Sequence, residues 1–395
     1  VPGSAGSVLT LNAGSSSIKF ALFDAPATAS VRGEIEWLSA GPHFFARDAQ
    51  GTLLADQRWD AGEASDPVLH ALIEFAVAHL GEGGLAAIGH RLVHGGPDHS
   101  APALVTPALL ASLTALTPLD PLHMPLNLAP IRAMAAARPD LPQVVCFDTA
   151  FHHTMPEVAR HCALPRAITD AGVRRYGFHG LSYEYIAGRL PPALARGRTI
   201  VAHLGAGASL CALQAGVSIA TTTGFSALDG LMMATRCGTL DPGIILYLAQ
   251  QGHSMADIED MLYRRSGLLG VSGLSGDLRV LLASADPHAA EAVALFTYRI
   301  ACEAGGLVSA LGGLDGLVFT AGIGEHAPAI RHAVCTRLAW LGITLDEAAN
   351  QAGGAETEGR ISRPDSTVAV LVIATDEEAM IAHHTRATLQ MARAA

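Results

Sequence analysis

Lysine is almost missing from this chain: of its 25 basic residues, only Lys19 is a lysine. Charge of either sign is sparse at 15% of residues while half are hydrophobic, a composition that excludes extensive disorder. Acidic groups outnumber basic ones to give a formal net charge of −11, which argues against a nucleic-acid surface and against adhesion to anionic lipid. An anionic substrate must then be drawn in by a few placed cations. The six cysteines, at 146, 162, 211, 237, 302 and 335, form no C-x-x-C pair and read as reduced, mostly core thiols. No basic segment followed by an apolar one opens the chain, and no apolar run approaches the roughly 20 residues of a spanning helix, so a cytoplasmic protein without a membrane partner is expected. What is present is length, 395 residues, enough for two domains with separate cores.

Residues 8–20, VLTLNAGSSSIKF, read as an apolar strand, a tight polar turn and a return strand. A turn of Gly14, Ser15, Ser16 and Ser17 offers backbone N–H groups and hydroxyls with little bulk, an arrangement that cradles phosphate oxygens. Lys19 beside it supplies a compact ammonium, suited to a crowded phosphate, although an ordinary hairpin with a solvated lysine satisfies the same pattern. Residues 199–213, TIVAHLGAGASLCAL, repeat the motif and suggest a duplicated fold. Residues up to about 66 read as further antiparallel strands and loops, followed by a helix over 69–80.

Several further stretches hold candidates for chemistry. In 87–96, AIGHRLVHGG, Arg91 at a strand end can hold a carboxylate or phosphate bidentately, whereas His90 and His94 sit among glycines that oppose the helix a shared metal would need. A helix over 107–116 gives way to an irregular loop at 120–127, DPLHMPLN, with Leu122 beside His123, and then to a helix over 128–137. Asp148 ends a strand over 143–147, where ligands gather in α/β sheets. His179 lies in RRYGFHG before a helix over 182–190, and Arg236 is the only charge between Asp229 and Asp241. Helices are expected over 242–251, 254–265 and 287–311, with Asp277 capping another. A strand over 316–320 runs into Gly322-Ile323-Gly324-Glu325-His326-Ala327, which matches G-x-G-x-x-A but without a parallel mononucleotide-binding half after it. That segment reads as a loop passing a nucleotide. A strand over 367–374 precedes Asp376-Glu377-Glu378, which opens the last helix and can cap it or bind a cation.

Taken in order from residue 8 to residue 383, the motifs LNAGSSSIKF, GHRLVHGG, DPLH, CFDTAFH, RRYGFHG, AHLGAGASL, TTTGFSALDGLMMATRCGTLDPG, FTAGIGEH and ATDEEAMIA closely resemble the acetate kinase family. The resemblance implies an α/β, duplicated actin-like (ribonuclease H-like) fold with two domains flanking a nucleotide cleft: 1–150, joined by the last helix 376–395, and 151–375. It implies reversible transfer of the ATP γ-phosphoryl group to acetate, with Mg²⁺ or alternatively Mn²⁺, by a homodimer. Residue by residue, Arg91, Asp148, His179 and Arg236 match catalytic positions, and Asn12 and Glu377 match metal positions. Lys19, His203, Leu204, Gly205, Ala206, Gly207, Asp277, Leu278, Arg279, Gly322, Ile323, Gly324, Glu325 and His326 match ATP-binding positions. Val93, Leu122 and Phe178 match walls of the acetate methyl pocket, with Arg91 holding the carboxylate and Ala227 beside it.

Four positions depart from the usual pattern. Ala206 and His326 each replace an Asn, Ala227 stands where many members have Pro, and Asp376 where Asn is common. None removes an essential charge, but they bear on nucleotide choice and acyl length. The branched Val93 predicts acetate over propionate. The competing readings are another short-chain acyl kinase, a non-catalytic actin-like nucleotide-binding protein, which could dispense with Arg91 and Arg236, and an NAD-linked oxidoreductase resting only on residues 322–327.

Overall fold

The computed structural model describes residues 6–14, 17–24, 28–38, 41–62, 65–79 and 84–394. The chain divides into two units, one of Val1–Phe151 with Asp376–Ala395 and one of His152–Thr375.

The first unit is built on an eight-stranded sheet of order β5-β4-β3-β2-β1-β6-β8-β7. Its strands are β1 (Ser7–Ala13), β2 (Ser17–Phe23), β3 (Ala29–Leu38), β4 (Gly41–Asp48), β5 (Leu53–Arg58), β6 (Leu85–Leu92), β7 (Ala103–Leu104) and β8 (Gln143–Phe147). Strands β1 to β5 form an antiparallel meander, while β6 pairs parallel to β1 and β8 parallel to β6. Alternation along β1 sorts its side chains. Leu9, Leu11 and Ala13 join a core with Val68, Leu72 and Ile73 of α1 (Ser65–Ala78) and with Met134 of α3 (Met124–Ala137), the helix that follows α2 (Pro107–Ala115). Val8 points the other way, onto Ala382 of the C-terminal helix Glu377–Ala394.

The second unit carries a five-stranded sheet of order β11-β10-β9-β12-β13, with β9 (Arg198–Leu204), β10 (Ala208–Gln214), β11 (Val217–Thr221), β12 (Gly316–Thr320) and β13 (Ala369–Val372). Three antiparallel strands followed by two parallel ones reproduce the order β3-β2-β1-β6-β8, so the duplicated α/β fold suggested by the two hairpins is present. Ile200, Ala202 and Leu204 of β9 face a core dominated by α5 (Pro287–Leu311). Asp286 caps α5 by accepting the N–H of His288, Pro287 fits its first turn, and Gly312 closes it in the left-handed conformation at φ 68°. The opposite face of β9 and β10 meets α4 (Gly180–Ala187).

Three sequence expectations need correction. The loop expected through residue 127 ends at His123, because α3 starts at Met124: Pro125 lies in the first turn, where its missing N–H costs nothing, and Asn127 is inside the helix. Residues 322–326 form not a loop but a short helix, α6 (Ala321–His326), ahead of α7 (Pro328–Arg337). The glycines of α6 are poor helix formers, but the buried Arg331 donates to the carbonyls of Gly324 (2.9 Å) and Glu325 (2.8 Å) and satisfies its open end. The strand expected over 367–374 shrinks to β13, the four residues in register with 316–319 of β12.

Candidate active site

In the first unit, the end of β1, the end of β6 and the start of the C-terminal helix bring charged groups together. Period-two alternation puts Gly89 and Arg91 of β6 on the face covered by that helix. Arg91 donates to Oδ2 of Asp148 from Nε (2.9 Å) and Nη2 (2.6 Å), and from Nη1 to Oδ1 of Asn12 (3.2 Å). The Asn12 amide donates to Glu377 (2.8 Å) and Glu378 (2.9 Å). Burial works against the Arg91 charge, yet the attraction of Asp148, Glu377 and Glu378 outweighs it and raises its pKa above the ordinary value. Burial raises the pKa of Glu377, with Asp148 adding and Arg91 opposing. Glu378 is raised by burial and by its neighbour Glu377.

These groups suit a hard divalent cation. Two carboxylates lie against one amide, and Oδ1 of the fully buried Asp148 has no hydrogen-bond partner among the described residues. Among the described residues no cluster of three or more His, Cys, Asp or Glu stands ready to enclose an ion. Partial protein ligation of this kind fits Mg²⁺, which keeps waters and binds substrate phosphates alongside one or two carboxylates. Lys19, exposed and paired in register with Asn12, adds positive charge that counters the upward shifts of Glu377 and Glu378. Gly14 donates its N–H to Ser17 O (2.8 Å), whereas Ser15 and Ser16, assigned to the phosphate turn, lie outside the described residues. Val93 is buried and donates its N–H to Asn127, while Leu122 is half-buried. His90 is buried with its Nε2 2.7 Å from the Gln143 side chain, and burial pushes its pKa down to about 4.

In the second unit, a pocket of about 830 Å³ is lined by Gly205, Ala206, Asp277, Leu278, Arg279, Gly322, Ile323 and His326, together with Leu282. Three segments drawn from residues 205–329 of the sequence therefore meet at one cavity. Asp277 caps the helix Leu278–Ala283 and is held below its usual pKa chiefly by hydrogen bonding from Arg279, whose side chain is 90% exposed at the rim. The other nucleotide candidates do not line this pocket. His203 bonds Ser182 (2.8 Å), Leu204 is core, Gly324 is buried, and Glu325 accepts the N–H of Thr375.

His179 adopts the left-handed conformation at φ 61° and stacks on His203 with ring centroids 4.2 Å apart. Its neighbour Phe178 is buried and donates its N–H to Thr223. A side chain at Gly207 would meet His179 Nε2 at 3.3 Å, so the imidazole edge lies along the second glycine turn. Arg236 donates to the carbonyl of Ala227 (3.3 Å), joining two positions that the sequence kept apart.

Sequence reasoning missed Arg331, Ser209 and Tyr183. Ser209 had a usable signal: strict alternation places it on the face of β10 opposite Ala208 and Leu210. Arg331 had none, because its partners are backbone carbonyls and the Asn350 amide.

The sequence model of the acetokinase family matches residues 7–383. An acetate kinase from Rhodopseudomonas palustris is 56% identical over 388 residues, covering 95% of this chain and 97% of that protein. The crystal structure of a propionate kinase from Francisella tularensis superposes with a TM-score of 0.88 at 37% identity, covering 96% of this chain and 98% of its own. That of an acetate kinase from Porphyromonas gingivalis gives 0.85 at 36% identity, covering 98% and 100%. With the family's model matched over nearly all of its length and relatives aligned end to end, the chain belongs to the acetokinase family.

Proposed function

We propose that this protein transfers the γ-phosphoryl group of ATP to acetate, giving acetyl phosphate and ADP, and catalyses the reverse reaction. The observation that carries the reading is the meeting of Gly205 and Ala206, residues 277–279, and Gly322, Ile323 and His326 around one nucleotide-sized pocket in a chain of this family. Arg91, Asp148, His179 and Arg236 are the catalytic residues in this reading. Val93, Leu122, Phe178 and Ala227 contact the methyl group, and Lys19 contacts ATP.

The chemistry needs no strong base, because acetate is ionised near neutral pH and its oxygen is already a nucleophile. The obstacle is charge, since an anion must approach a polyphosphate. Asn12 and Glu377 would hold Mg²⁺, which would supply neutralising charge on the nucleotide phosphates. Arg91, Arg236 and His179 donate hydrogen bonds to oxygens that gain charge in a loose, metaphosphate-like transition state. Asp148 holds Arg91 through one oxygen and two N–H groups, which suits an orienting role and leaves the Arg91 Nη1 edge turned toward Asn12.

The test is hydroxylamine trapping of acyl phosphate formed from ATP, Mg²⁺ and a panel of short carboxylates. Acetate is expected to give the highest kcat/KM. One methylene is worth only about 1–3 kcal/mol, so the margin over propionate is modest. A kcat/KM for propionate above that for acetate would shift the assignment to a propionate kinase, the reading favoured by the likeness to the Francisella tularensis enzyme. Absence of acyl phosphate with every carboxylate would overturn the phosphotransferase reading. A cytoplasmic homodimer accords with the family resemblance, and sedimentation of the purified protein tests the dimer.

A further inference from the structure

Behind His179 lies a polar chain that the phosphoryl-transfer reading does not use. Ser209 and Tyr183 are both fully buried, Ser209 on β10 directly across from His203 of β9 and Tyr183 on α4. Ser209 Oγ lies 2.8 Å from Nδ1 of His179 and is hydrogen-bonded to the Tyr183 hydroxyl. The serine therefore bridges a phenol and an imidazole inside the protein.

A phenol is a far stronger acid than an alkanol, so between the two hydroxyls Tyr183 is the favoured donor and Ser209 the acceptor. The single proton of Ser209 is then directed to its other neighbour, Nδ1 of His179. A ring nitrogen that accepts a hydrogen bond carries no proton, and a neutral imidazole must then carry it on Nε2. The Nε2 edge is the one that lies along Gly207. The imidazole has little freedom to turn away, since it stacks on His203 at an interplanar angle of 14° and its backbone is pinned in the left-handed region.

We propose that Ser209, seated by Tyr183, is a positioning residue that fixes His179 as its Nε2–H tautomer, presenting an N–H donor along the Gly207 turn toward a phosphoryl oxygen. The role assigned to that donor rests on the phosphotransferase reading, but the tautomer does not. The relay accounts for a fully buried serine in β10, on the face opposite its neighbours Ala208 and Leu210. It also separates two jobs: His179 touches the reacting phosphoryl group, while Ser209 and Tyr183 act only through it.

The experiment is ¹⁵N NMR of the histidine-labelled full chain near pH 8, with the His179 ring signals assigned by their loss in H179Q. The wild-type protein should show a protonated Nε2 and a bare Nδ1. S209A should show a mixture of tautomers and a kcat lower by about tenfold, with the KM values for acetate and ATP moving by less than about twofold, in line with the 10–100-fold cost of removing partners that orient a ligating histidine. Y183F keeps the serine but removes its donor and should fall between the two. A wild-type proton on Nδ1, or on both nitrogens, overturns the proposal, as does an S209A protein whose tautomer is unchanged. Should S209A fail to fold, the wild-type spectrum and Y183F decide the matter. A wild-type protein that forms no acyl phosphate would remove the phosphotransferase reading while leaving the tautomer result standing.

Discussion

Arg91 and Asp148 form the pair whose loss should be felt most, since Asp148 is fully buried and spends one oxygen on two guanidinium N–H groups. D148N leaves Arg91 with only the indirect compensation of Glu377 and Glu378. It should lower unfolding stability by roughly 3 kcal/mol, the low end for breaking a buried pair, as read from urea denaturation. It should also lower kcat by about a hundredfold, because a misaligned cation stabilises the transition state poorly. Near-wild-type turnover in D148N would remove Asp148 from the mechanism. His90 gives a different kind of prediction. Burial depresses its pKa from 6.5 to about 4, so between those values the unfolded chain binds more protons than the folded one. Its contribution is complete above pH 6.5 and is lost as pH falls toward 4, amounting to about 2 kcal/mol between pH 7 and pH 5. H90Q should lose correspondingly less stability over that interval, measured as urea midpoints at the two pH values. At this scale the sequence was informative where a charge stood at a strand end, as with Arg91 beside Asp148. It was silent where a residue works through a backbone carbonyl, as Arg331 does, and at Ser209 alternation gave the face of the strand but not the partners on it.

Elements were legible where their ends carry local chemistry. The helix α5 begins at Asp286-Pro287 and stops at Gly312, and both ends can be read from the residues themselves. The start of α3 and the short helix α6 were not, because Pro125 and the glycines of α6 give the wrong local signal and distant groups override it. Packing between elements was hidden altogether. Gly89 shows this: a Cβ there would lie 2.3 Å from Thr385 Oγ1 and 2.6 Å from Ile381 Cγ2, so the glycine lets the C-terminal helix seat against β6. G89A should cost about 1–3 kcal/mol by overpacking. It should also raise the Mg²⁺ concentration needed for half-maximal activity, because the same helix carries Glu377. Gly306, exposed within α5 with open space around its Cα, is the contrasting site. G306A should stabilise the protein by up to about 1 kcal/mol, the helix-propensity difference between glycine and alanine. A thermal melt that ranks G89A at or above wild type would contradict the packing account.

For the whole molecule, composition set the class and the repeated hairpin pointed to duplication, but only the strand order shows how far the repeat extends. Its six cysteines form no disulfide: Cys302 is exposed, Cys162 and Cys237 are half-buried, and the other three are buried. Burial pushes the thiols of Cys211 and Cys335 up to about 12. Under native conditions a disulfide reagent such as DTNB should therefore modify Cys302 first, with Cys146, Cys211 and Cys335 released only on unfolding, and a reductant should leave Tm unchanged. Rapid labelling of all six in the folded protein would contradict the packing described. The seating of the C-terminal helix on the first sheet has a consequence for biosynthesis. On the ribosome, the strands carrying Val8, Ala21 and Phe23 emerge early, yet the helix bearing Ala382 that covers them is translated after the whole of the second unit. The first sheet to be made is thus the last to be completed, and a chain released before residue 377 lacks both the cover for that face and the carboxylates beside Asn12. Premature termination would yield an incompletely folded chain, open to proteolysis, in place of a nearly complete enzyme.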